Sequence, residues 1–197
     1  MAKVDIRRTE LEDGTVTFTV HIVGLNPTPP VTDVHDYGNS FAAGLGLDTE
    51  VAAAVREAMR QAGIGPDDPV MLVGHSLGAL TAANLAQDDE FRSHYNLQSV
   101  VAVGATISGR DIDPPTTVLQ ITNPNDDVVQ ATKVAGGPNR MRGRSNYIEH
   151  EVHFGIPKIP GMPIGGVVGA VLGLMQAHPL SKYQDRLRGW DRSNSGA

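Results

Sequence analysis

Pro69-Val70-Met71-Leu72-Val73-Gly74-His75-Ser76-Leu77-Gly78-Ala79-Leu80 is the stretch on which the fold turns. Pro69 to Val73 is an apolar run without alternation, the pattern of a short strand buried on both faces of a parallel sheet. Ala79 to Gln87 is rich in Ala and Leu and predicts a helix. Between them Gly74-His75-Ser76-Leu77-Gly78 matches G-x-S-x-G, in the strand-to-helix context that gives this pattern chemical meaning. Such a turn lifts the serine Oγ clear of the backbone, and its glycines let chain and helix pass where a Cβ would clash. The helix start then offers unpaired N–H groups and a positive dipole end where an oxyanion can form. The plainer alternative is a glycine-rich turn with an exposed serine.

Working outward, Thr15 to Val23 is β-branched and half alternating, hence a strand. The loop Gly24-Leu25-Asn26-Pro27-Thr28-Pro29-Pro30 ends it, because its prolines permit neither helix nor ladder. A helix starts at Asp48-Thr49-Glu50 with Val51, Ala54, Val55, Ala58 and Met59 on one face, and Gly63 and Pro66 stop it. Further strands are expected at Ser99 to Ala105, Thr117 to Thr122 and Tyr147 to Val152. Strands alternating with helices predict an α/β fold, a mostly parallel sheet of about five to six strands flanked by helices in three layers. Residues 1–14 read as an N-terminal extension, and the polar tail after Trp190 as frayed.

The 197 residues suit one domain, and 40% apolar with 19% charged residues is ordinary globular usage. A net charge of −6 with scattered Lys and Arg offers no footprint for nucleic acid. The absence of Cys excludes disulfides and thiol catalysis. Met1 to Arg8 is charged with no apolar stretch behind it, so no secretory signal is expected and cytoplasmic residence is the default; an excised domain or an effector would be secreted instead. Ile156 to Met175 is rich in Gly and Pro, and Gly161 to Met175 carries no charge. It falls short of the roughly 20 apolar residues of a spanning helix, and reads as a buried element or a flap over the site, with interfacial contact left open.

A serine nucleophile needs a histidine to take its proton and a carboxylate to hold that histidine's tautomer, in the chain order Ser, acid, His for this arrangement. The acid belongs in the loop after a late strand, where Asn123-Pro124-Asn125-Asp126-Asp127-Val128-Val129 follows Thr122. Asp126 is the first choice and Asp127 the second; either would otherwise be an Asx turn or a helix cap. His150, His153 and His178 follow the acid, whereas His21, His35, His75 and His94 precede it. His178, in a loop opening a final helix, is the first choice for the base and His153 the second. His75 is expected to pack against a strand, since neighbours on a sharp turn point apart. The oxyanion hole would combine the Leu77 N–H with one from the loop around Leu25 and Asn26.

The stretch Gly65 to Gly78, the Asp126-Asp127-Val128-Val129 loop, and His178 with Tyr183 together resemble an actinobacterial group of α/β-hydrolase, lipase-like domains, from about Thr15 to Arg188. In its economy the chain also resembles cutinase-like minimal hydrolases. The resemblance implies an α/β-hydrolase fold with Ser76 as nucleophile, Asp126 as orienting acid and His178 as base. It departs from that pattern in having no Cys, in Gln130 where a proline often follows the two valines, and in the Gly161 to Met175 stretch.

These readings converge on a carboxylic ester hydrolase that needs no cofactor or metal and takes a small-molecule or lipid-like ester. A thioesterase or acyltransferase would use the same triad, a non-catalytic binding domain would keep the fold without the chemistry, and a toxic lipase domain of a secreted effector is a further alternative.

Overall fold

A computed structural model describes residues 4–23, 50–153 and 181–184. Its centre is a six-stranded sheet whose spatial order follows the chain. The strands are β1 (Val4–Glu10), β2 (Val16–Ile22), β3 (Pro69–His75), β4 (Asn96–Val103), β5 (Thr117–Thr122) and β6 (Tyr147–Glu151). β1 runs antiparallel to β2, and the remaining neighbours are all parallel. The helices are α1 (Glu50–Gln61), α2 (Leu77–Gln87), α3 (Asp89–His94) and α4 (Asp127–Gly136). Parallel neighbours, joined through helices at every step but β4 to β5, make this an α/β fold.

Burial explains why each segment takes its form. β2 and β3 alternate, with Phe18, Val20 and Ile22 buried on one and Val70, Leu72 and Gly74 on the other. These residues form one core with Val51, Val55 and Met59 of α1 and Leu80, Ala83 and Leu85 of α2. Each large aliphatic side chain so buried contributes about 1.5–3 kcal/mol. α2 is buried along nearly its whole length, as a helix apolar all round must be. α1 is amphipathic, with Glu50 in its first turn and Arg60 in its last matching the helix dipole. Its buried stripe is Val51, Ala52, Val55 and Met59, so Ala52 faces the core while Ala54 and Ala58 are only half-buried.

The alternate residues point to the other face of the sheet. There Val103 and Ile121 form a second, smaller cluster with Val152 and Tyr183, flanked by Val101 and Leu119. Tyr183 comes from a helical turn at residues 181–184.

Besides the short helix α3, which the sequence does not announce, three elements depart from the sequence expectation. Residues 1–14 are not a bare extension, because Val4–Glu10 is an edge strand. Only Val4 and Ile6 touch the core, so the exposed Arg7, Arg8 and Glu10 hide the alternation. β4 begins at Asn96 and ends at Val103, and the chain from Gly104 to Ser108 is a buried loop. Asp127, Val128 and Val129 open α4 rather than continuing the loop after β5. The segment 156–175, the Leu25 loop, His178 and the tail after Trp190 lie outside the described residues. Among the described residues, no helix is long and apolar enough to cross a membrane.

Candidate active site

The carboxyl ends of the parallel strands share one edge of the sheet, where ligands of open α/β sheets bind. Two strand-to-helix turns meet there, β3 to α2 and β5 to α4.

At the first turn Ser76 has φ 56° and ψ −123°, and among the described residues it is the one non-glycine with positive φ. A side chain held in such a region costs of order 1–3 kcal/mol, so the surroundings must impose it. They do so through the backbone. The Ser76 N–H donates to the Val103 carbonyl at 2.9 Å, and the Ser76 carbonyl accepts from the Ala79 N–H at 3.0 Å. The glycines are dictated by contact. A Cβ on Gly74 would lie 2.1 Å from the Gly78 carbonyl oxygen, and one on Gly78 would lie 2.1 Å from the carbonyl oxygen of Ile22. The end of β2 therefore passes directly against the start of α2.

Ser76 occupies the N-cap position of α2, yet its side chain makes no capping hydrogen bond. The half-buried hydroxyl is thus not engaged in holding the helix. Leu77 opens α2, and the first N–H groups of a helix have no intrahelical acceptor. They lie with the positive end of the dipole beside Ser76, where a developing oxyanion would be stabilised.

The second turn is built by the opposite device. Asp126, 1% exposed, has an ordinary extended backbone at φ −89° and caps α4, its Oδ1 accepting from the Val128 N–H at 2.9 Å. Its Oδ2 accepts from the Tyr183 hydroxyl at 2.7 Å. That hydroxyl in turn accepts from the Asn123 N–H at 3.3 Å. Burial, and then the neighbouring Asp126 charge, push the Tyr183 phenol far above its usual range, so it remains a proton donor. Gln130, at the position where the resemblance leads one to expect proline, donates its side-chain amide to the Pro124 carbonyl at 2.7 Å and closes the loop. Asp127 is the first residue of α4, and its side chain lies outside the described part of the structure.

Strand spacing relates the two turns. β3 and β5 flank β4, which places them about 10 Å apart. An imidazole with a hydrogen bond of about 3 Å at either end spans a gap of that order. The edge is knit together by the Gly104 N–H to the Ile121 carbonyl at 2.9 Å and the Val152 N–H to the Thr122 carbonyl at 2.8 Å.

The histidines fall in different places. His75 is half-buried, and its ring meets Tyr183 edge-on at 6.0 Å between centroids. His150 pairs in register with Ile121 on β6. His153 follows β6 with its imidazole 67% exposed and Nε2 4.0 Å from the Glu151 carboxylate. His178 lies outside the described residues.

Supporting groups that the sequence does not announce sit behind the acid loop. The Thr132 hydroxyl of α4 accepts from the Thr106 N–H at 3.0 Å, and Gln120 accepts from the Ile107 N–H at 2.9 Å, fixing the loop after β4 against α4 and β5. Gly109 and Gly136 cross so closely that a Cβ on Gly109 would lie 2.2 Å from the Gly136 carbonyl oxygen. Arg110 is buried, which draws its guanidinium down to about 10, and it donates to Asn84 of α2 at 2.8 Å. Among the described residues, no group of His, Asp and Glu is arranged to hold a metal ion.

The sequence matches no protein-family model and no curated protein.

Proposed function

We propose that the chain is a serine hydrolase of the α/β-hydrolase type, cleaving carboxylic esters through Ser76, His178 and Asp126. The observation that carries this reading is the strained turn at Ser76, which holds a hydroxyl off its own helix cap at the mouth of a helix N-terminus. In this reading His178 takes the proton from Ser76 Oγ as it attacks the acyl carbonyl. The oxyanion lodges at the Leu77 N–H and at an N–H of the loop around Leu25. The alcohol leaves with that proton, and water activated by His178 then releases the acid from the acyl-enzyme. His178 is preferred to His153, whose imidazole stands in solvent beside Glu151.

One observation favours a second reading, a binding domain without catalysis. Asp126 serves as helix cap and phenol acceptor, which a purely structural aspartate would also do. Fluorophosphonate labelling with site mapping by mass spectrometry, run beside hydrolysis of p-nitrophenyl esters of graded acyl length, separates the two. Label on Ser76, with turnover abolished in Ser76→Ala and Ser76→Gly, is the expected result. An unlabelled chain without turnover on any ester would leave the binding domain.

A further inference from the structure

The proposed triad leaves a buried polar side chain without a task. Tyr183 is 0% exposed, and a phenol at such depth is tolerated only with its hydroxyl hydrogen-bonded. It donates to Asp126 and accepts from the Asn123 N–H, both in the loop after β5. Its ring stands edge-on to His75, the residue immediately before the nucleophile. One side chain therefore touches both turns of the candidate site.

We infer that Tyr183 is a positioning residue that fixes the Asp126 carboxylate and sets its spacing from the Ser76 turn. This rests on the catalytic reading above and adds a part to it. A carboxylate held by one oxygen can still rotate about its terminal torsion, which is broad for Asp. Here the two oxygens are held from different elements, Oδ1 by the Val128 N–H of α4 and Oδ2 by the phenol of the turn at 181–184. Rotation would break both bonds, so the carboxylate keeps a constant plane. The phenol bond is charge-assisted and, at 2.7 Å, among the short ones, hence strong for its kind. Burial and the neighbouring Asp126 charge raise the phenol's pKa, so the hydroxyl keeps the proton it donates. The ring contact matters separately, because His75 moves with Ser76 and Asp126 moves with the hydroxyl. A shift of either turn would therefore be felt at Tyr183.

Tyr183→Phe tests this in the full chain, because it removes one oxygen and leaves the ring on His75. The rate of Ser76 labelling by fluorophosphonate and the kcat for a p-nitrophenyl ester are measured for wild type, Tyr183→Phe, Asp126→Asn and the double variant. Losing a hydrogen bond to a charged group predicts about a tenfold or greater fall in kcat for Tyr183→Phe, with KM unchanged and the Ser76 label still formed more slowly. In the Asp126→Asn background the same change should cost little or nothing further, because there is no anion left to position. An equal loss in both backgrounds, or no loss in either, overturns the positioning role while leaving the serine hydrolase intact. A wild type that neither labels nor turns over brings down the catalytic reading, and this role with it. Should Tyr183→Phe unfold, 3-fluorotyrosine at position 183 retains the ring and the hydroxyl while strengthening it as a donor to Asp126 and weakening it as an acceptor from Asn123. A changed kcat at constant KM is then expected, and an identical kcat overturns the proposal.

Discussion

The turns from β3 to α2 and from β5 to α4 join the same kinds of element at the same edge of one sheet, and they are built in opposite ways. At the first, the backbone carries the abnormality: Ser76 has φ 56°, glycines pack at contact distance, and the side chain caps nothing. At the second the backbone is ordinary, and the side chain of Asp126 is fastened at both oxygens. A nucleophile must have its reactive atom unencumbered, so its placement has to be enforced through the main chain. An orienting acid acts by holding still, so it is itself held. On the proposed catalytic reading, one connection type presents a reactive group at the first turn and immobilises a supporting one at the second, depending on whether strain sits in the backbone or hydrogen bonds sit on the side chain.

The largest expected effect tests the chemical half of that contrast. Asp126→Asn preserves shape and much of the capping ability, since Asn caps about as well as Asp. Steady-state hydrolysis should nevertheless fall by about 10⁴ in kcat, the scale seen when a triad acid loses its charge. Thermal unfolding should change far less than turnover. Retained activity would reduce Asp126 to a cap and shift the search to Asp127.

Next in size is the backbone half. Gly78→Ala places a methyl 2.1 Å from the Ile22 carbonyl oxygen, against main chain that cannot swing aside. Overpacking of this kind costs about 3 kcal/mol, at the upper end of the usual range. Gly65→Ala is the control, since its nearest neighbour would be the Asp68 carboxylate at 3.5 Å, an ordinary contact. Denaturant unfolding of both variants checks the pair, and equal midpoints would mean that the turn yields more easily than its contacts imply.

The same contrast governs what could be read from the sequence. The Ser76 turn is local: apolar strand, glycine spacing and Ala-rich helix lie within twenty residues, so the pattern carries its own context. The mostly parallel sheet was legible for the same reason. β1 was not, because an edge strand with exposed Arg7, Arg8 and Glu10 has no continuous apolar face. α4 was not, because the capping aspartate that opens it was also the residue chemistry singled out, and both uses fit one pattern. The bond from Tyr183 to Asp126 joins residues 57 apart and leaves no periodic trace. A tyrosine in a polar stretch announces nothing until the fold brings a carboxylate to it.

A smaller effect, opposite in sign, isolates strain at Ser76. Glycine at φ 56° escapes the Cβ penalty of about 1–3 kcal/mol but loses about 0.5–1 kcal/mol through the freedom it gains when unfolded. Ser76→Gly should therefore be about 1 kcal/mol more stable than Ser76→Ala, with both inactive. Equal unfolding midpoints would remove the claim that the backbone is strained there.

The smallest effect comes from an aspartate that shares Asp126's local geometry without its surroundings. Asp88 caps α3, accepting from the Phe91 N–H at 2.8 Å, and it pairs with Arg56 at 2.8 Å. The Phe91 N–H, aided by the Arg56 guanidinium, holds its carboxyl below the usual value. A folded-state pKa lowered in this way stabilises above the unfolded value near 4, and that contribution disappears as pH falls through the folded value. With its side chain 35% exposed, Asp88 should be worth no more than about 1 kcal/mol, most of it the cap. Asp88→Ala should lower stability by that amount at pH 7, converge with wild type under acid conditions, and leave ester turnover unchanged. If it reduced turnover as strongly as Asp126→Asn, capping itself would be what catalysis needs, and the distinction between a fastened acid and a simple helix cap would collapse.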